Sequence, residues 1–94
     1  MTFEEFIRAA VEPAGACIAL RALWHDRRGN WEEAHRLVMD ESGEDEAWVH
    51  AYLHRKEGDL PNAAYWYRRA GRPTAHGSLE DEWTSIVHSL LVER

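Results

Sequence analysis

Residues 48–72 read WVHAYLHRKEGDLPNAAYWYRRAGR, and the Gly58-Asp59 corner in their middle constrains this chain more than any other feature. Glycine adopts the left-handed backbone that closes a helix, and aspartate accepts from the backbone N–H groups that open the next one. One helix ending at Glu57 and a second starting at Leu60 are therefore expected, folded back on each other. A shift of 29 residues lays Ala22–Ala34 on Ala51–Ala63 and matches Ala22 with Ala51, His25 with His54, Gly29 with Gly58 and Ala34 with Ala63. Asn30 then falls on Asp59, one capping residue on another. Self-similarity at a spacing of about 20–50 residues marks stacked supersecondary units that share a core. Here the unit is a helix, a tight Gly-Asn or Gly-Asp turn and a second helix.

The flanking segments read as helices too. Thr2 and Glu5 have the spacing of a capping box, and Phe3, Phe6, Ile7, Ala10 and Val11 recur at helical intervals, which predicts a first helix over 3–11. Pro13 separates it from a second pattern running from Ala14 to about Arg28, whose small residues suit close helix approach. A third helix is expected from Trp31 to about Met39, a fourth from about Glu44 to Glu57 and a fifth from Leu60 to about Ala70. Gly71-Arg72-Pro73 stops the fifth, and 74–77 is a linker. Ser78 then caps a last helix, with Asp81 at the box position and Trp83, Ile86, Val87, Leu90 and Leu91 as its stripe. No segment alternates as a strand does. The expected fold is all-α: one domain over 1–94, about six helices, two helix-turn-helix hairpins between an N-terminal and a C-terminal helix.

Lys56-Glu57-Gly58-Asp59-Leu60, with Ala63, Tyr67 and Ala70 after it, resembles the turn and second helix of a tetratricopeptide or Sel1-like repeat. The likeness is good over Ala47–Ala70. It weakens after Ala34 in the first unit, where Val38 and Glu41 stand in place of the pattern's aromatic and alanine. The stretch is also similar to short bacterial and fungal proteins sharing WxHAYLHRxEGDxxNAxYWYxRAG, a resemblance that implies no activity. The repeat resemblance implies a concave groove lined by the first helix of each hairpin, where a short peptide docks.

Composition narrows the function classes. The chain has 94 residues and a formal net charge of −6, a balance that opposes the phosphate neutralisation on which non-specific nucleic-acid binding depends. No apolar run approaches the ~18–20 residues of a membrane span, and the acidic start lacks the features of a signal peptide. A cytoplasmic location is expected. One cysteine, Cys17, excludes an internal disulfide framework. Nucleophile-elbow, phosphate-loop and dinucleotide motifs are absent, so no catalytic residue and no cofactor is implied. Glu32, Glu33 and His35 hold acid–base side chains, but at a turn where solvated charge is expected.

Three groups of residues are candidate sites. Trp48, Tyr52, Arg55 and Lys56 share a face of the fourth helix, with Arg27 at the matching place in the first unit; the repeat resemblance puts that face in the groove. The plainer reading is that Trp48 and Tyr52 supply core bulk to a small domain. His50 and His54 are four apart on one helix face, and with a further ligand, His25 at the repeat-equivalent position or Glu57, they form a candidate metal set. Otherwise these histidines are interior groups bonded to backbone or carboxylate. Tyr65-Trp66-Tyr67 with Arg68 and Arg69 spreads rings around one helix, since successive residues turn by about 100°. A neighbouring element covers the far side, or a ring such as Trp66, beside Arg69, is left for a partner.

The sequence thus describes a non-catalytic interaction module for a short peptide or helix, with Arg27, Trp48, Tyr52, His54, Arg55, Lys56, Trp66 and Arg69 as contact residues. The alternative is a small-molecule or metal-binding protein using the histidine and aromatic cluster. A protein or peptide partner is expected, nucleic acid and membrane are not, and self-association through apolar ends is a further option.

Overall fold

The computed structural model describes residues 1–92. Six helices follow in order, α1 (Phe3–Arg8), α2 (Ile18–Arg27), α3 (Trp31–Val38), α4 (Glu44–Glu57), α5 (Leu60–Ala70) and α6 (Leu79–Val92), with no strand among the described residues. The chain is all-α. None of the helices among the described residues is long and apolar enough to cross a membrane.

The two hairpins close by the same local chemistry. At the end of α4, Gly58 has φ +93°, its N–H donates to the Arg55 carbonyl and the Asp59 N–H donates to the His54 carbonyl at 2.9 Å. At the end of α2, Gly29 has φ +81°, its N–H donates to Asp26 and the Asn30 N–H to His25 at 3.0 Å. Both are Schellman closures, which only a residue without Cβ adopts at low cost. Asn30 then accepts from the Glu33 N–H and Asp59 from the Asn62 N–H, opening α3 and α5. α2 packs on α3 and α4 on α5, while α3 meets α4 and joins the hairpins.

Two expected helices are shorter than their patterns. α1 stops at Arg8, and Val11, assigned to its buried stripe, is 74% exposed. The Ala9 carbonyl turns aside to accept from Trp24 Nε1 at 3.1 Å and from the Arg28 guanidinium, a tertiary clamp that ends the helix. α2 begins at Ile18 rather than Ala14, because buried Pro13 leads a turn in which the Ala16 N–H donates to its carbonyl. Ser78 caps α6 as expected, accepting from the Asp81 N–H at 3.0 Å.

α6 packs against α1, α2 and α4. Trp83, Ile86, Val87 and Leu90 join Phe6, Leu20, Leu23, Val49 and Leu53 in one core. Trp83 Nε1 donates to the Leu23 carbonyl at 3.1 Å, fixing α6 across α2. The helix therefore lies over the α2–α4 face where a repeat groove is expected.

Candidate functional site: a histidine cluster between α3 and α4

The structure divides the expected contact residues between the interior and the surface. Tyr52 is 3% exposed, and its hydroxyl donates to Asp26 Oδ2 at 2.9 Å. Lys56 Nζ donates to the other oxygen of the same carboxylate, also at 2.9 Å. Arg55 reaches α6, pairing with the buried Glu82 at 2.8 Å and donating to the Gly77 carbonyl. Tyr67 donates its hydroxyl to the other Glu82 oxygen. Burial first, then the Glu82 bond and charge, push the Tyr67 phenol well above its usual range. Arg27 pairs with Glu80 at 3.2 Å and lies 4.7 Å over the Trp83 ring. Trp48 is buried beneath the Arg72 guanidinium, 3.6 Å from its ring centroid, at the edge of a cleft of about 360 Å³ between the α5–α6 connection and α6. Of the residues implied for the groove, Arg55 is bound to α6, Tyr52 and Lys56 are bound to Asp26 of α2, and Arg27 and Trp48 stand at the edges of clefts beside α6.

The outer face of α5 stays open. Tyr65 is 42% exposed, and Arg69 donates to its hydroxyl at 2.9 Å while its guanidinium lies 5.8 Å from the Tyr65 centroid and 5.4 Å from that of Trp66. Trp66 is half-buried because its indole stacks inward on His50, centroids 4.0 Å apart.

Beneath Trp66 the histidines gather, though not in the combination the repeat suggests. His25 is elsewhere: its Nε2 binds Glu12 Oε1 at 2.5 Å, and Arg21 holds the other oxygen at 2.6 Å. These two partners, His25 first, keep the Glu12 carboxyl below its usual range. The third ring is His35 of α3. One nitrogen from each of His35, His50 and His54 lies within 4.8 Å of the others. His35 Nε2 and His50 Nε2 are 3.1 Å apart and share a hydrogen bond. His54 Nδ1 lies 2.6 Å from Glu57 Oε2. A carboxylate only accepts, so Nδ1 donates the proton in that contact.

Ring packing fixes the set. Trp31 stacks on His35 with planes 7° apart and is held by donation from its Nε1 to the Leu53 carbonyl at 2.9 Å. Burial, with the His54 and His35 charges adding to it, lowers the His50 pKa to about 4. His35 moves down as well, by burial and then by His54, with Glu57 opposing. Both rings are therefore held toward the neutral form, which carries a free lone pair. His50 Nδ1 is buried and has no hydrogen-bond partner among the described residues.

Sequence reasoning misses His35 as a ligand and offers Glu57 as a candidate ligand, whereas the structure places Glu57 against His54 Nδ1. Position 35 lies one helical turn after Trp31, on the face that includes buried Ala34 and Val38, and that periodicity was the available signal. Glu32 is exposed and Glu33 pairs with Arg36, so these acids do not converge on His35. Comparison with family models, curated proteins and solved structures finds no match to this chain.

Proposed function

We propose that this chain is a non-catalytic protein-interaction module of tetratricopeptide-like character, acting in the cytoplasm, and that its contact surface is the outer face of α5. The observation that carries this reading is the exposed Tyr65–Arg69 pair, with the guanidinium over both Tyr65 and Trp66. Tyrosine, tryptophan and arginine dominate binding hot spots because they present broad, partly rigid surfaces with a polar end. Arg68 and Arg69 are exposed on α5, on a chain of net charge −6, which favours a short segment carrying carboxylates. Tyr52 and Arg55, held by Asp26 and Glu82, contribute scaffold rather than contact.

Selection of short random peptides on the untagged protein tests this. Acidic peptides should emerge, and Arg69→Ala or Tyr65→Ala should each weaken them by about tenfold or more. Peptides that bind both variants as tightly as the parent would overturn the assignment. A second reading, small-ligand or metal binding at the histidine cluster, is favoured by one separate observation, the gathering of one nitrogen each from His35, His50 and His54 within 4.8 Å.

A further inference from the structure

We propose that His35, His50 and His54 form a three-imidazole site for a borderline divalent transition-metal ion such as zinc, with Glu57 as the group that orients His54. The site adjoins the α5 peptide surface through Trp66, which stacks on His50, but none of its ligands belongs to that surface.

Three observations converge. Two nitrogens each about 2.0–2.1 Å from a tetrahedral ion lie roughly 3.3 Å apart, and His35 Nε2 and His50 Nε2 are 3.1 Å apart. The third ring needs only a side-chain adjustment, since all three donor atoms lie within 4.8 Å of one another. The His54 Nδ1–Glu57 contact is the carboxylate–histidine arrangement that holds a ligating ring by its far nitrogen and raises its basicity. A hydrogen-bonded pair makes use of one proton between two rings. A third ring lies beside them, and a cation between the facing nitrogens would be met by all three.

Neutral imidazoles suit zinc, copper, nickel and cobalt, and not the hard cations calcium and magnesium. His50 and His54 come from successive turns of α4 and His35 from α3, so the ion would join the two hairpins at their contact. Trp31 and Trp66, stacked on His35 and His50, hold two of the ring planes before any ion arrives.

The test uses the untagged full chain, stripped with chelator and titrated with Zn²⁺ by calorimetry and with Co²⁺ by visible absorbance. One ion per chain is expected, with the intense bands of tetrahedral Co²⁺ and histidine ring NMR shifts confined to His35, His50 and His54. His35→Gln should weaken binding by about 100-fold, Glu57→Gln by about 10–100-fold, and His25→Gln should leave it unchanged. Absence of saturable binding by either ion would overturn the site. So would loss on His25→Gln or His76→Gln, which would indicate scattered surface histidines. Binding that survives His35→Gln but not Asp59→Asn would also overturn it, in favour of His54, Glu57 and Asp59, the other grouping of donors here. The ring shifts of the parent protein decide the matter even if a variant loses its helical signal.

Discussion

The indole of Trp66 lies over the imidazole of His50 with centroids 4.0 Å apart and planes 19° from parallel, so one half-buried ring separates the interior histidine from solvent. Removing that cover should change both the stability and the acid–base behaviour of the domain. Trp66→Ala is expected to cost about 2 kcal/mol, the scale for losing a partly buried aromatic side chain. The His50 pKa should rise from about 4 toward its ordinary value. Urea unfolding reads the first effect and ring NMR titration the second; an unmoved His50 would mean that other groups desolvate it.

The same depressed value makes the metal-free protein acid-sensitive. His50 binds its proton near 6.5 when unfolded and about 4 when folded, so the unfolded chain takes up more protons between those values. Its contribution is full above about 6.5, declines as the pH falls and is gone below about 4. The shift corresponds to about 3 kcal/mol at roughly 1.4 kcal/mol per unit. Unfolding curves in chelator across that window should show this decline, and His50→Gln should flatten it.

Arg55 is structural in this arrangement. Arg55→Ala leaves the 5%-exposed Glu82 carboxylate with the Tyr67 hydroxyl alone and should destabilise by about 3 kcal/mol, as breaking a buried ion pair does. A loss below about 0.5 kcal/mol in denaturant would show that the pair is dispensable.

The closures are testable one at a time. Gly58→Ala puts a Cβ at φ +93° with no heavy atom within 4 Å to strike. The cost is conformational alone, about 1–2 kcal/mol. Gly29→Ala, at φ +81° and equally open, should cost the same. Chemical denaturation checks both, and unequal losses would show that the hairpins are not equivalent.

Local chemistry made most of the fold legible. Gly58-Asp59 and Gly29-Asn30 carry their own turn geometry, and α4 and α5 begin and end where their residues dictate. What the local pattern missed is tertiary: the carbonyl of Ala9 is captured by Trp24 and Arg28, side chains far along the chain, and α1 ends early. The histidine site failed for a related reason. His25 and His54 are equivalent by repeat, yet each sits at the end of its own hairpin with its own carboxylate, Glu12 or Glu57. Residues related by a repeat are separated by it. The ring that does reach His50 and His54 comes from α3, the helix packed against α4, and has alanine, Ala64, at its own repeat equivalent. The burial of Tyr52 and Arg55 was equally hidden, because nothing in α4 announces that α6 returns to cover it.

Glu82 binds side chains from α4 and α5, and Arg55 in turn caps the Gly77 carbonyl before α6. An array of independent repeats gains stability unit by unit. Here the second hairpin instead places Arg55 and Tyr67 where their partner arrives only with the last helix. The unit of cooperative assembly is therefore larger than the hairpin. Docking of α6 closes both halves together, and unfolding should be all-or-none rather than a fraying from one end.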